Sequence, residues 1–275
     1  MRFCIALINC LLVPTLLSQE PPQTPASAPE APYIEREEKQ FNFFPGGKIE
    51  ILTGVPGSLK IVGWQKSSVR VEAEKIIYYE TAEKAKAFMQ KSPLRVRHNQ
   101  TSTTIRAMTA PEPPAIMEVN YTVYVPGEKT DINAKIEKGD FSIDGVTGWV
   151  EATIKEGSIE AKSMSGYFSG KTLKGDILVD MSGKNWKGYE FDALTQQGSA
   201  TLRLPAEYSA ALQLETSNGK VIVHYPPRVF EGEEIPAEII SRKNAQSLKA
   251  AVGDGGAPVK LITFSGDITL SLKEK

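Results

Sequence analysis

Two aromatic residues, each directly after a glycine, are spaced so that they could lie side by side on a binding surface. Trp149 and Tyr167 lie 18 residues apart, and the apolar Val150 and Phe168 beside them occupy the opposite, inward phase of a strand. The two rings are therefore predicted to point outward and to stack, with Trp186 on a nearby insertion. Stacked exposed rings suit a sugar face or an apolar partner. In the alternative interpretation, a helix or loop covers these rings.

Three aspartates that follow glycines could serve a different chemistry. Asp140, Asp176 and Asp267 resemble the acidic residues with which some β-helix enzymes bind Ca²⁺ and cleave polysaccharides. Ser158 occupies the position between the first two, which places those carboxylates roughly 9–10 Å apart. Because the oxygen ligands of Ca²⁺ lie at about 2.3–2.6 Å, they are too distant to share one ion. A turn role for these aspartates is favoured, and no metal site or cofactor is predicted.

The remaining titratable residues do not form a recognisable catalytic motif. His98 and His224 lie in separate strand-like segments, and no serine or cysteine nucleophile motif accompanies either one. HExxH, Walker A and EF-hand patterns are absent from the sequence. The sequence therefore predicts a non-enzymatic protein with no catalytic residues.

Recurring glycine pentads determine the predicted architecture. Apolar residues occupy the second and fourth positions after each glycine, which is the alternation of a strand with one buried face. The three clearest copies begin 18 residues apart, at Gly139, Gly157 and Gly175, and looser copies begin at Gly198, Gly219 and Gly266. A short fixed period of this kind is typical of solenoids. The fold class predicted is all-β, a single elongated β-solenoid resembling a parallel β-helix, with about 18 residues per coil.

Charged residues at the same spacing support stacking in register. Two columns alternate in sign, Lys138, Glu156 and Lys174 in one and Asp144, Lys162 and Asp180 in the other. Opposite charges on neighbouring strands contribute roughly 0.2–1 kcal/mol each, whereas like charges would repel. An 18-residue register is therefore favoured.

The first 40 residues have the features of an export signal and a tether. Residues 1–18 combine Arg2 with an apolar run, as in a cleaved signal peptide, and a retained anchor or lipidation at Cys10 are the alternatives. Residues 19–40 are proline-rich and are predicted to be a disordered linker. Both cysteines, Cys4 and Cys10, lie in the signal, so the mature chain would contain no disulfide.

Residues 41–275 form the predicted domain, in which three segments interrupt the strand pattern. Helical spacing of apolar residues predicts one short capping helix near 81–91, with Thr81 as its N-cap. Insertions are predicted near 183–188 and 226–258, where the distance between pentads exceeds 18 residues. Insertions in repeat arrays often project from the binding face.

The formal net charge of −1 indicates neither a nucleic-acid partner nor a polybasic membrane surface. After signal cleavage, no integral membrane segment is expected. An envelope glycan or a surface protein remains as the partner, and the sequence does not determine the oligomeric state.

Three segments also resemble the bacterial "putative adhesin" family of exported β-strand-repeat proteins, whose function is unknown. They are Gly57–Trp64, Val69–Lys75 and Tyr121–Pro126, which leads into the glycine pentads, and the resemblance covers about Glu38–Leu272. It implies a solenoid at the cell envelope and provides no catalytic motif.

The predicted function is therefore that of a binding protein, adhesin-like and located in the periplasm, at the cell surface or outside the cell. Two other functions stay open. One is a polysaccharide-acting enzyme on a β-helix scaffold, which would need a carboxylate cluster on one face. The other is a structural spacer or assembly unit, which would self-associate.

Overall fold

Alternating buried and exposed residues place most of the chain in β-strands. The computed structural model describes residues 32–106, 110–113, 115–225 and 239–274. The described residues form the strands β1 (Tyr33–Asn42), β2 (Lys48–Thr53), β3 (Leu59–Trp64), β4 (Ser68–Tyr78), β5 (Arg95–His98), β6 (Ser102–Arg106), β7 (Ile116–Pro126), β8 (Asp131–Lys138), β9 (Phe141–Asp144), β10 (Thr147–Glu156), β11 (Ile159–Lys162), β12 (Ser165–Lys174), β13 (Ile177–Asp180), β14 (Gly188–Gln197), β15 (Ala200–Leu204), β16 (Ala210–Thr216), β17 (Val221–His224), β18 (Ile240–Arg242), β19 (Ala245–Val252), β20 (Pro258–Ser265) and β21 (Ile268–Leu272), and the helix α1 (Ala82–Lys91).

These strands form two large sheets that share one apolar core. The 10-stranded sheet has the order β1-β4-β7-β3-β9-β11-β13-β15-β21-β17, and the 11-stranded sheet has the order β18-β19-β16-β20-β14-β12-β10-β8-β2-β6-β5. Buried side chains from both sheets belong to a single cluster. Each sheet therefore has one face in the core and one outer face.

The predicted single β-solenoid, or parallel β-helix, is wrong. Both sheets are mixed, because β1, β4 and β7 pair antiparallel in one sheet and β16, β19 and β18 do so in the other. The strand order also departs from the chain order, since β20 lies between β14 and β16 and β21 lies between β15 and β17. A local strand–glycine–strand repeat specifies how neighbouring strands pair, but it does not specify where non-local strands insert.

The 18-residue spacing itself appears as the register of the parallel pairs. Ile159 lies opposite Ile177, and the neighbouring strands place Asp144, Lys162 and Asp180 side by side. Lys162 nevertheless makes its ion pair with Glu160, two positions away on its own strand, at 2.6 Å. In the other column, Lys174 pairs with Glu156 at 3.4 Å. The register therefore places the charged residues of each column side by side, but a lysine can also form its ion pair with a carboxylate on its own strand.

Glycine is required where the chain turns from one sheet to the other. Gly157 has φ +145°, and a Cβ there would overlap the carbonyl oxygen of Gly139, in the neighbouring turn between β8 and β9. Buried threonines complete the same turns, since Thr172 Oγ1 donates to Gly157 O at 2.7 Å and Thr195 Oγ1 donates to Gly175 O at 2.8 Å. The turns thus combine close backbone stacking with internal hydrogen bonds.

The aspartates after the glycines have a structural role at these turns. Oδ1 of Asp140 accepts the N–H of Ser158, Oδ1 of Asp176 accepts that of Ser199, and Oδ1 of Asp267 accepts that of Lys220, each at 2.8 Å. The serines between them act in the same way: Oγ of Ser158 accepts the N–H of Asp176, and Oγ of Ser199 accepts that of Asp267. Within the described ranges, no group of three or more His, Cys, Asp or Glu residues could hold a metal ion.

The N-terminal end of the molecule contains the helix and an unexpected strand. Thr81 caps α1 by accepting the N–H of Lys84 at 3.3 Å, and Ala85 and Met89 are buried. Residues 33–40, predicted as the end of the disordered linker, belong to β1, which pairs with β4 along its full length. This part of the linker prediction is wrong, because Glu35 and Glu37 on β1 pair with the buried Lys75 instead of being fully solvated.

A fully buried lysine is the centre of that pairing. Lys75 Nζ donates to Glu35 at 2.7 Å, to Glu37, and to the carbonyl oxygen of Ser92 at 3.2 Å. Glu37 also accepts the N–H of Leu94 at 2.9 Å. These contacts connect β1, at the edge of one sheet, to the segment that leads into β5, at the edge of the other.

Several predicted segments lie wholly or partly outside the described residues. They include the signal peptide 1–18 with Cys4 and Cys10, residues 19–31 of the linker and residues 226–238 of the second insertion. The rest of that insertion contains the antiparallel pair β18–β19. No helix in the described part of the chain has the length and apolar character to cross a bilayer.

Candidate functional site

The aromatic pair lies on the outer face of the 11-stranded sheet. Trp149 on β10 is directly opposite Tyr167 on β12, and the ring centroids are 3.9 Å apart with an interplanar angle of 21°. Trp149 is 46% exposed. Since Val150 and Phe168 are fully buried in the core, strand alternation places both rings outside.

Hydrogen bonds fix the orientation of the indole ring. The backbone N–H of Trp149 donates to Asp131 Oδ1 at 3.0 Å, and its Nε1 donates to Glu151 Oε1 at 3.0 Å. Oε2 of Glu151 accepts a hydrogen bond from Asn133 Nδ2, also at 3.0 Å. The exposed ring is therefore held in one position before any ligand arrives.

A polar row runs beside the two rings across the strands. Asn133, Glu151, Ser169 and Asp192 occupy consecutive positions in the parallel ladder of β8, β10, β12 and β14. The amide of Asn133 and the carboxylates of Glu151 and Asp192 can exchange hydrogen bonds with a polyhydroxylated ligand, whereas Ser169 is buried. Rings and polar groups thus form two adjacent strips on the flat surface of one sheet.

Charges on β14 limit the surface on the Tyr167 side. Glu190 lies opposite Tyr167 and forms an ion pair with Lys260. The hydrogen bond with Glu190 raises the pKa of Lys260 above its ordinary value, although burial opposes this. Burial raises the pKa of Asp192 above its ordinary value, and the charge of Glu190 raises it further. The charges of Lys171 and Lys260 partly offset this increase. A carboxylate near a like charge is a good acceptor for ligand hydroxyl groups.

Trp186, the third predicted site residue, does not join this surface. It is 4% exposed and packs edge-on against Phe191, with centroids 5.3 Å apart and planes at 83°. The bridge between Asn185 and Ser209 draws the first insertion onto the core. Trp186 is therefore a packing residue of the insertion.

Sequence reasoning missed the polar residues of the site. Asp131 and Asn133 lie 18 positions before Trp149 and Glu151, so the same register count would have located them. Asp192 lies opposite Ser169 across a bulge, where the simple count fails.

The sequence repeat also did not indicate a second aromatic cluster, which lies on the 10-stranded sheet. Trp64 and Tyr124 stack with centroids 5.3 Å apart, and the Arg70 guanidinium lies 4.2 Å from the Tyr124 centroid. Trp64 Nε1 donates to the carbonyl oxygen of Ser68 at 2.8 Å. This arrangement covers the rings with a cation, whereas the Trp149 surface stays open.

The two histidines lie outside the candidate site. His98 stacks on Phe41 with centroids 4.1 Å apart and planes at 12°, and so connects the edges of the two sheets. His224 is on β17, opposite Ser271 of β21. The structure does not bring them together.

Comparison with known proteins gives structural matches only. No protein-family model matches the sequence, and no curated protein matches it significantly. The chain is similar to a "putative cell adhesion protein" from Clostridium sporogenes, with 14% identity, coverage of 87% of this chain and 100% of that chain, and a TM-score of 0.41. It is also similar to a "putative adhesin" from Bacteroides fragilis, with 11% identity, 87% and 97% coverage and a TM-score of 0.25. A "putative adhesin" from Parabacteroides distasonis matches with 8% identity, 86% and 97% coverage and a TM-score of 0.28. These structures have the adhesin names to which the sequence resemblance points.

Proposed function

We propose that this chain is a non-enzymatic, exported binding protein of the cell envelope or cell surface, and that its ligand is a carbohydrate. The observation that carries the proposal is the open stack of Trp149 on Tyr167, fixed in orientation beside a row of polar side chains. The export part rests on the apolar run that follows Arg2.

The aromatic pair offers what a pyranose ring needs. Its apolar C–H face packs on an aromatic ring, while its hydroxyl groups require acceptors and donors at the rim. Trp149 and Tyr167 supply the rings, and the carboxylates of Glu151 and Asp192 lie two residues further along the strands. The outer face of a sheet also suits an extended polymer better than a small compact ligand, which proteins usually enclose in a cleft or cavity.

Preorganisation supports a binding role over a packing role. The indole of Trp149 is held by the Glu151 hydrogen bond and the Tyr167 stack, so little side-chain entropy is lost when a ligand binds. The carboxylates that hold the ring and close the surface already have partners in Trp149, Asn133 and Lys260. They are therefore assigned to positioning and recognition, without a catalytic role.

The test is the binding of residues 19–275 to an array of immobilised glycans. Trp149→Ala/Tyr167→Ala should lose binding and keep its melting temperature, because both rings lie on the surface. The matched control is Phe44→Ala/Phe264→Ala, which removes two half-exposed rings elsewhere and should bind normally. Failure of the folded native chain to bind any glycan would contradict the proposal, and release of new sugar ends would indicate the enzyme instead.

A further inference from the structure

Three arginines at one edge of the 11-stranded sheet have no ionic partner among the described residues. Arg95 and Arg97 on β5 and Arg106 on β6 are exposed, and none of their side chains makes an ion pair or hydrogen bond with a residue in the described ranges. Arg95 lies directly opposite Arg106 in the antiparallel pair, and Arg97 lies on the same face two positions further. The structure therefore concentrates positive charge on a small area.

This arrangement costs stability in the free protein. Side chains directly opposite each other in an antiparallel pair have Cβ atoms about 4.5–5.5 Å apart, and like charges there repel. Charge on β5 alone would be explained by protection of an edge strand against unwanted pairing. That explanation does not extend to Arg106, which lies on the inner strand of the pair. A bound anion would relieve the repulsion and use both residues.

The arginines share their face with the aromatic pair. Pairing registers place Arg97, Thr104, Glu50, Asn133 and Glu151 in one row across β5, β6, β2, β8 and β10. Four strand steps separate β5 from β10, which is about 19 Å. A single sugar cannot reach both places, whereas a polysaccharide of several sugars can.

The path between the two places carries charges of both signs. Lys48 on β2 and Lys135 on β8 are exposed on this face and make no ion pair with a described residue. The described carboxylates on this face from β5 to β8 are Glu50, on the Arg97 row, Asp131, whose Oδ1 accepts the N–H of Trp149, and Glu137, which pairs with Lys155. When the three arginines are included, five cationic side chains face three carboxylates from β5 to β8 among the described residues.

From this geometry we propose that the ligand is an acidic polysaccharide that crosses the strands of the 11-stranded sheet. Its sugar rings pack on Trp149 and Tyr167, and its carboxylate or sulfate groups bind Arg95, Arg97 and Arg106. The guanidinium fork binds such groups through two parallel hydrogen bonds. This inference rests on the proposed carbohydrate-binding function and specifies the class of carbohydrate.

The experiment compares polysaccharides that differ only in charge. Residues 19–275 are titrated with polygalacturonate and with its methyl-esterified, neutral form, and in a second comparison with sulfated chondroitin and desulfated chondroitin, which keeps its carboxylates and therefore has a lower charge. The native chain should prefer an acidic member by at least tenfold, and added salt should weaken that binding because it screens exposed charges. Arg95→Gln/Arg106→Gln should remove the preference and keep or raise the melting temperature, since repulsion is relieved.

The matched control is Lys60→Gln/Lys220→Gln, which makes the same change in net charge on the other sheet and should keep the preference. Equal binding of acidic and neutral forms, lost in Trp149→Ala/Tyr167→Ala, would overturn this inference and leave the proposed function standing. Acidic binding that survives Arg95→Gln/Arg106→Gln would also overturn it. So would acidic binding that survives loss of the aromatic pair. No binding to any polysaccharide would remove both proposals.

Discussion

Between β8 and β15, every strand pairs in parallel with a neighbour, and the turns repeat the same glycine, threonine and aspartate or serine contacts. At the N-terminal end, β1, β4 and β7 pair antiparallel, and the contacts converge on the buried charge of Lys75. One region is stabilised by many similar backbone contacts, and the other by a few specific ionic ones. The loss of stability caused by a substitution should therefore depend on backbone geometry in the first region and on charge in the second.

Removal of the buried charge should have the largest effect. Lys75→Ala leaves Glu35 and Glu37 without their cation, and breaking a buried ion pair in this way costs about 3–5 kcal/mol. Urea unfolding measures the loss, and Lys60→Ala, at an exposed position on β3, is the control. Glu35→Gln/Glu37→Gln/Lys75→Met should recover part of it. A loss below about 1 kcal/mol, the size of an exposed pair, would show that the cluster is solvated.

A methyl group at a repeat glycine should have the next largest effect. Gly157→Ala combines positive φ with overlap of a neighbouring carbonyl, so we expect a loss above about 2 kcal/mol. Gly183→Ala is a matched control, because Gly183 also has positive φ, +75°, but a Cβ there would meet nothing within 4 Å. Equal losses in thermal unfolding would mean that strain alone, and not stacking, requires the glycine.

Loss of one buried hydroxyl should have a smaller effect. Thr195→Val removes the donor to Gly175 O without changing side-chain size, and we expect a loss of about 1–2 kcal/mol in the free energy of unfolding. Thr201→Val, at a half-buried position on β15, should change stability little. If the two variants lose the same free energy of unfolding, the threonine hydrogen bonds do not stabilise the turns.

Acidification should have the smallest effect, and it tests the ionic contacts of the N-terminal region. Burial alone would raise the pKa of Glu37, but the Lys75 hydrogen bond, the Leu94 N–H and the charges of Lys75 and Lys39 lower it below its ordinary value of 4.5. Its stabilising contribution is therefore present above pH 4.5 and lost as pH falls through the lowered pKa. Glu37→Gln should show less acid destabilisation than Glu38→Gln, measured by melting temperature at neutral and acidic pH. The opposite order would contradict the role of Glu37.

The regular region was largely predictable, because alternation and spacing are local properties. Phe141, Ile159 and Ile177 are buried as the pentads predict, and the count of 18 residues brings Trp149 onto Tyr167. The count could not indicate that β20 and β21 would insert between earlier strands, since that pairing joins segments far apart in the chain. This non-local insertion is one reason why a two-sheet mixed fold was taken for a solenoid.

The N-terminal end was less predictable for a different reason. Lys75 occupies an inward position of β4, and Glu35 and Glu37 occupy inward positions of β1. Charged residues at inward positions hide the strand alternation, so β1 has the composition of a solvated linker. Their burial is possible only because the opposite charges meet across two strands, and no local pattern contains that information. Similarly, Trp186 gave no local sign that it packs on Phe191.

Calorimetric titration of one array-positive polysaccharide against the native chain and Trp149→Ala tests the carbohydrate-binding surface most directly. The account predicts that loss of the exposed ring weakens binding about tenfold or more, equivalent to at least about 1.4 kcal/mol. The melting temperature should stay nearly unchanged, because the ring is half-exposed. Native affinity in the variant, or affinity lost only together with the fold, would contradict a binding surface at Trp149 and return the aromatic pair to a packing role.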